Sequence, residues 1–184
     1  MVRLDSSDPH FAADFARLLT VKREIAEDVD EAVRGIIRDV VQSGDDALVD
    51  YTKRFDRLGT DFTAAQLRVT EAEIAAAVEA CPRDLLDALD LAAERIEGFH
   101  RAQRPTDHRA TDALGVTAGW RWTALESVGL YVPGGTASYP SSVLMNALPA
   151  RVAGVPRVVM VVPTPDGQMN PLVLAAAQRA GVHV

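Results

Sequence analysis

From Val128 onward the chain alternates short apolar runs with amphipathic segments closed by glycine, and this alternation restricts the fold more than any other feature. Val128–Val132 reads as a strand, Pro133-Gly134-Gly135 as a sharp turn, and the residues from about Pro140 to Ala153 as a helix ending at Gly154. The unbroken run Val158-Val159-Met160-Val161-Val162 has the pattern of a strand covered on both faces. It is far shorter than the roughly 20 apolar residues a membrane-spanning helix needs. Pro163-Thr164-Pro165-Asp166-Gly167 reads as a loop, Asn170-Pro171 as the cap of a helix carrying Leu172, Val173, Ala176 and Ala177, and Gly181 as its end. Val182-His183-Val184 begins a further strand. The order β-α-β-α-β predicts a parallel sheet with right-handed crossovers, a partial Rossmann-like unit. Its third strand has hardly begun at Val184, so the unit reads as truncated and the chain as a piece of something longer.

The preceding residues are helical in character, which makes the whole chain α/β with an N-terminal helical region. Asp8-Pro9 predicts a helix start, and Val29, Val33, Ile36, Ile37, Val40 and Val41 form the stripe of a following helix that ends at Gly44. Asp45-Asp46 opens a short helix with Leu48, Val49, Tyr51 and Phe55. Thr70 and Glu73 have capping-box spacing. Pro82 opens a long helix whose buried face is Leu85, Leu86, Leu89, Ala92, Ala93 and Ile96, with Asp84, Asp87, Glu94 and Arg95 on a solvated face. Arg104 to Asp112 is polar and aperiodic and reads as a linker. Val116–Trp122 reads as a strand with Trp120 and Trp122 on one face, packed against the helical half. The division expected is a helical region over residues 1–112 and a Rossmann-like region over residues 113–184.

A formal net charge of −7 disfavours a broad face for nucleic acid, although backbone N–H groups can still hold a small anion. Nearly half of the residues are hydrophobic, as in a globular protein rather than a disordered one. The single cysteine, Cys81, cannot form an internal disulfide or a thiolate cage and reads as a small, buried or half-buried apolar residue. No apolar segment of signal-peptide length stands among the first residues. These features predict a soluble, cytoplasmic protein that engages neither nucleic acid nor membrane.

Ligands of doubly wound sheets bind beyond the carboxyl ends of the strands. Two loops stand there. In the first, Gly134 and Gly135 permit close backbone approach and unusual conformations. Thr136, Ser138, Ser141 and Ser142 surround a helix start suited to an anion, and Tyr131 offers a flat ring for stacking. The same pattern is equally that of a plain strand-to-helix turn with Tyr131 in the core, and it is not the three-glycine dinucleotide fingerprint. In the second loop, Pro163, Thr164 and Pro165 make a rigid exit from the strand, most simply a connection. His10, His100, His108 and His183 have no ligand partners at helical spacing, so a zinc site within the chain is not expected.

The stretch from Val128 to Ala137, then Tyr139-Pro140-Ser141-Ser142-Val143-Leu144-Met145-Asn146-Ala147, then Pro149 to Val155, closely resembles histidinol dehydrogenases. The resemblance continues through Pro163-Thr164-Pro165 and Asn170 to Ala177. It reaches back to Gly44-Asp45-Asp46-Ala47-Leu48, Tyr51-Thr52, Phe55-Asp56, and Ile96, Phe99, His100 and Gln103. It implies NAD- and zinc-dependent oxidation of L-histidinol to L-histidine through L-histidinaldehyde, the last step of histidine biosynthesis, in a homodimer with swapped elements. It implies that Tyr131 contacts NAD, and that Pro133, Gly134, Gly135 and Thr136, with Pro163 and Thr164, line the same cofactor cleft. It also implies that the zinc ligands and the acid-base pair lie downstream, with no catalytic or metal residue inside this chain. The 184 residues alone are then expected to be inactive. The rival readings are a non-catalytic nucleotide- or partner-binding module and, from residues 9–104 only, a helical interaction scaffold.

Overall fold

Two helices were expected before Gly44, and one is found. The computed structural model describes residues 4–134 and 139–183, and of residues 20–27 the backbone only. Helix α1 runs unbroken over Phe11–Ser43, 33 residues. No proline and only Gly35 interrupts that stretch, so nothing local stops propagation. Asp8 is not the cap itself. Its carboxylate accepts from the His10 N–H at 2.8 Å and its carbonyl from the Phe11 N–H at 2.9 Å, a turn that leads into the helix. Gly44 ends α1 at φ 56°, ψ −130°, a conformation open to glycine. Helix α2 follows over Asp45–Asp56.

The chain forms two compact units, Met1–Tyr51 and Thr52–Val184. The first is α1 with the start of α2. Phe15, Val29, Val33, Ile37 and Val41 along α1 are exposed.

The second unit holds the sheet. After α2 come α3 (Glu71–Ala80) and α4 (Arg83–Arg101), the hairpin β1 (His108–Thr111) and β2 (Thr117–Trp120), then β3 (Ser127–Tyr131), α5 (Pro140–Val152), β4 (Arg157–Val161) and α6 (Pro171–Ala180). Thr70 and Glu73 form the expected capping box on α3, with the Thr70 N–H donating to Glu73 at 2.7 Å and the Glu73 N–H to Thr70 at 3.2 Å. Asn170 caps α6 by accepting from the Leu172 N–H at 2.8 Å, and Gly181 closes it in the left-handed region. Strands β3 and β4 are parallel, with Val128 opposite Val158 and Tyr131 opposite Val161. His183 adds a parallel bridge to Val159 on the far side of β4, where the third strand was expected.

The linker expected over Arg104–Asp112 contains β1. All four residues of β1 are exposed, so no apolar periodicity marks it, and its strand geometry comes from pairing with β2. Trp120 and Trp122 do not pack against the helices; they are exposed, with Trp120 beside the His108 ring at 4.5 Å between centroids.

One sheet face carries the core. Val128, Leu130, Val132, Val158, Met160 and Val162 join Val143, Leu144, Ala147 and Leu148 of α5 and Val173, Ala176, Ala177 and Ala180 of α6. Leu89 and Ala93 of α4 add an outer layer, with Cys81 half-buried at its margin. The expected burial of the β4 run on both faces does not occur within the described residues: Val161 is 60% exposed and Tyr131 beside it 65%. Polar contacts brace the helical layers. Arg151 of α5 donates to Glu97 of α4 at 2.8 Å and to the Arg179 carbonyl of α6 at 3.3 Å, and Arg179 pairs with Asp90.

Leu148 is fully buried, so Leu148→Ala is expected to cost about 2–5 kcal/mol, read as a lower denaturant midpoint. The bond from Arg101, aided by the charge of Arg151, holds the Glu97 carboxyl below its ordinary value of 4.5. A lowered folded-state pKa stabilises the fold above 4.5, and that contribution is lost as pH falls through the lowered value. Glu97→Gln should therefore lower the unfolding midpoint at neutral pH, with the deficit shrinking as pH drops below 4.5.

Candidate functional site

Parallel pairing of β3 and β4 puts both of the predicted loops on one edge of the sheet. The ladder extends one residue further, with the Val132 N–H donating to the Val161 carbonyl at 3.0 Å. The chains then turn away as Pro133-Gly134 and Val162-Pro163. They do not separate. A Cβ on Gly134 would lie 2.6 Å from the Pro163 carbonyl oxygen and 3.3 Å from its Cδ. Gly134 is thus required for close approach of two backbones. It is not among the glycines with positive φ, so the unusual conformation expected of it is absent. Gly135, Thr136 and Ser138 lie outside the described residues.

Two cavities flank this contact. The first, about 620 Å³, is bounded by Pro133, Gly134, Pro163 and Thr164, by Arg57 and Asp166, and by the start of α6 at Asn170 and Pro171. That volume is in the range of small-molecule sites. The second, about 570 Å³, is more apolar and is bounded by Tyr131, Phe55, Met160, Val161 and Leu174, again with Pro163 and Thr164. The predicted residues therefore divide. Pro163 and Thr164 border both cavities, Pro133 and Gly134 the first, and Tyr131 the second. Tyr131 is not a core residue; its position on the open sheet face leaves the ring accessible.

The second loop is more than a connection. The Asp56 carboxylate accepts from the Thr164 N–H at 3.0 Å. Arg57 reaches Asp166 with both arms, Nε to Oδ1 at 2.8 Å and Nη2 to Oδ2 at 2.6 Å. Asp166 is held below the usual carboxylate range by the hydrogen bond from Arg57, and that bond in turn raises Arg57. Sequence reading missed Asp56, Arg57 and Asp166 as members of this site. Asp166-Gly167 carried a turn signal, but nothing in the sequence couples it to residues 109 positions away.

At the start of α5, Tyr139 occupies the N-cap and makes no side-chain cap bond; its carbonyl accepts from the Ser142 N–H at 3.0 Å. Among the described residues no group of three or more His, Cys, Asp and Glu side chains is placed to hold a metal ion. His100 is bonded to Gln103 at 2.8 Å, and His183 Nδ1 faces the Val158 N–H at 3.2 Å. The described residues do not fit zinc. Their loop edge presents a cavity of small-molecule size beside two apposed strand exits. Among the described residues no helix is long and apolar enough to cross a membrane.

Comparison with known proteins bears on the chemistry. The sequence profile of histidinol dehydrogenases matches residues 19–184. The histidinol dehydrogenase of Rhodopseudomonas palustris is 62% identical over 180 residues, which are 98% of this chain and 41% of that protein. That of Bradyrhizobium diazoefficiens is 61% identical over 181 residues, covering 98% of this chain and 42% of the relative. The chain thus spans about two fifths of the length of the curated relatives it matches. A crystal structure of histidinol dehydrogenase from Elizabethkingia anophelis superposes with a TM-score of 0.76 at 33% identity, over 84% of this chain and 35% of that one.

The loop contact makes a direct prediction. Gly134→Ala places a methyl group against the Pro163 backbone, where neither partner is a flexible side chain. It is expected to destabilise the fold by about 1–3 kcal/mol, measured by denaturant unfolding. An unchanged midpoint would mean that the two loops part freely.

Proposed function

Because this chain belongs to the histidinol dehydrogenase family, we propose that it is the N-terminal part of such an enzyme and forms one wall of its NAD site. The reaction is the oxidation of L-histidinol to L-histidine by way of L-histidinaldehyde, the closing step of histidine biosynthesis, in a cytoplasmic homodimer. The observation that carries the reading is the contact of Gly134 with Pro163, which joins two loops at the carboxyl edge of a parallel strand pair. Ligands of open α/β sheets bind at that edge.

NAD supplies the hydride acceptor when bound. This chain's residues bind and orient. The Tyr131 ring offers a flat apolar face for a ring of the cofactor. Pro133, Gly134, Pro163 and Thr164 would form a stiff wall for it; Gly135 and Thr136, which the resemblance assigns to the same cleft, lie outside the described residues. The zinc ligands and the proton-handling groups belong to parts of the enzyme outside these residues. The family assignment favours this reading over a non-catalytic binding module.

Two measurements test it. In an enzyme that carries this segment together with the rest of the family's length, Tyr131→Ala should raise the KM for NAD by about two- to tenfold, as expected for a lost aromatic contact, and leave the KM for histidinol nearly unchanged. An unaltered KM for NAD would overturn the NAD reading of this edge. The purified 184-residue chain is expected to form no NADH from NAD and histidinol, with or without added zinc. Steady NADH production by that chain would overturn the placement of the catalytic groups elsewhere.

A further inference from the structure

We propose that Asp56 and Arg57, at the C-terminal end of α2, are positioning residues that grip Thr164 and Asp166 and hold the Pro163–Gly167 loop against Gly134, setting the width of the cofactor cavity. The inference rests on the NAD reading of that cavity. Consecutive residues of one segment meet the other segment in turn. Asp56 accepts from the Thr164 N–H at 3.0 Å, and Arg57 holds Asp166 at 2.8 and 2.6 Å. Leu58 Cδ2 lies 3.7 Å from the position a Cβ on Gly167 would take.

The backbone at the two ends of the ion pair is unusual in the same way. Arg57 at φ 56° and Asp166 at φ 58° are the only non-glycine residues with positive φ among those described. Arg57 stands just after α2, where the Leu58 N–H returns to the Lys53 carbonyl at 3.1 Å. Such a position usually takes glycine, because a side chain there is strained. Strained residues persist where their surroundings determine them, and they cluster at functional sites. Glycine at position 57 would relieve the backbone and forfeit the fork onto Asp166. An isolated exposed ion pair holds little. A two-armed pair combined with a neighbouring backbone hydrogen bond constrains direction as well as distance.

The far side of the loop explains what the grip accomplishes. Pro163 stands so near Gly134 that a Cβ there would lie 2.6 Å from its carbonyl oxygen, which leaves little room for the loop to move inward. Its free direction is outward, and Asp56 and Arg57 oppose that motion. The cavity of about 620 Å³ is bounded by both sides of this arrangement, Gly134 and Pro163 on one hand and Arg57 and Asp166 on the other.

The test uses the enzyme carrying this segment, in two variants that suit the left-handed backbone: Arg57→Gly, and Asp166→Asn, which keeps shape and removes charge. Hydrogen exchange of the 162–168 peptide should rise about two- to fivefold in each, the range one exposed pair supports. The KM for NAD should rise by a similar factor, with the KM for histidinol and kcat at saturating NAD unchanged. Arg57→Lys should not restore either value, since an ammonium lacks the fork. Unchanged exchange in both variants would overturn the grip. Raised exchange with an unchanged KM for NAD, where Tyr131→Ala does raise it, would overturn the positioning role. If Tyr131→Ala leaves that KM unchanged as well, the NAD reading itself has failed and the inference falls with it.

Discussion

The packing of α6 depends on its small side chains, and much of the second unit depends on α6. Ala175, Ala176, Ala177 and Ala180 are at most 5% exposed, and Ala176 has no accessible surface at all. With alanine at four of its buried positions, beside Val173 and Leu174, α6 can lie close to α5, α3 and α4 at once. Larger residues would widen the spacing between helices and lift them off the sheet. Leu144 and Leu148 of α5, each no more than 1% exposed, then fill the remaining space over β3. The helices cover one face of the sheet, and Arg151 with Glu97, like Arg179 with Asp90, braces the layers at their rim.

Placing both helices on one face determines where the candidate site is. The exits of β3 and β4 come together just beyond the strand pair, and Gly134 and Pro163 mark how closely. The opposite face keeps Tyr131 and Val161 accessible. In a chain that spans about two fifths of its curated relatives' length, this edge carries the proposed cofactor site. The second loop contributes by being held in place. Its contacts to Asp56 and Arg57 give it a defined position without making it part of either strand.

Much of this was legible in the residues. The caps at Thr70 and Asn170, the end signals at Gly44 and Gly181, and the order of strands and helices after Val128 are local features, each settled by neighbours in sequence. Other features were not legible, for identifiable reasons. Strand β1 has four exposed residues and draws its geometry from β2 alone. The continuity of α1 through residues 20–27 follows from the absence of a breaker, which a search for start signals overlooks. The apolar β4 run suggested two covered faces, but composition records only what a strand can tolerate, and Val161 is exposed. Cys81, read as a buried or half-buried apolar residue, is half-buried.

The candidate site divides along the same line. The sequence alone determined which loops lie at the carboxyl ends of parallel strands, because the alternation of strand and helix leaves those loops nowhere else to go. Tyr131, Pro133, Gly134, Pro163 and Thr164 were identifiable on that basis. Only the tertiary structure decided that Gly134 answers to Pro163, that Tyr131 borders a different cavity from Gly134, and that Asp56 and Arg57 hold Thr164 and Asp166. Those are contacts between segments about 30 to 109 residues apart, and a linear pattern carries no term for the distance between them until the chain has packed.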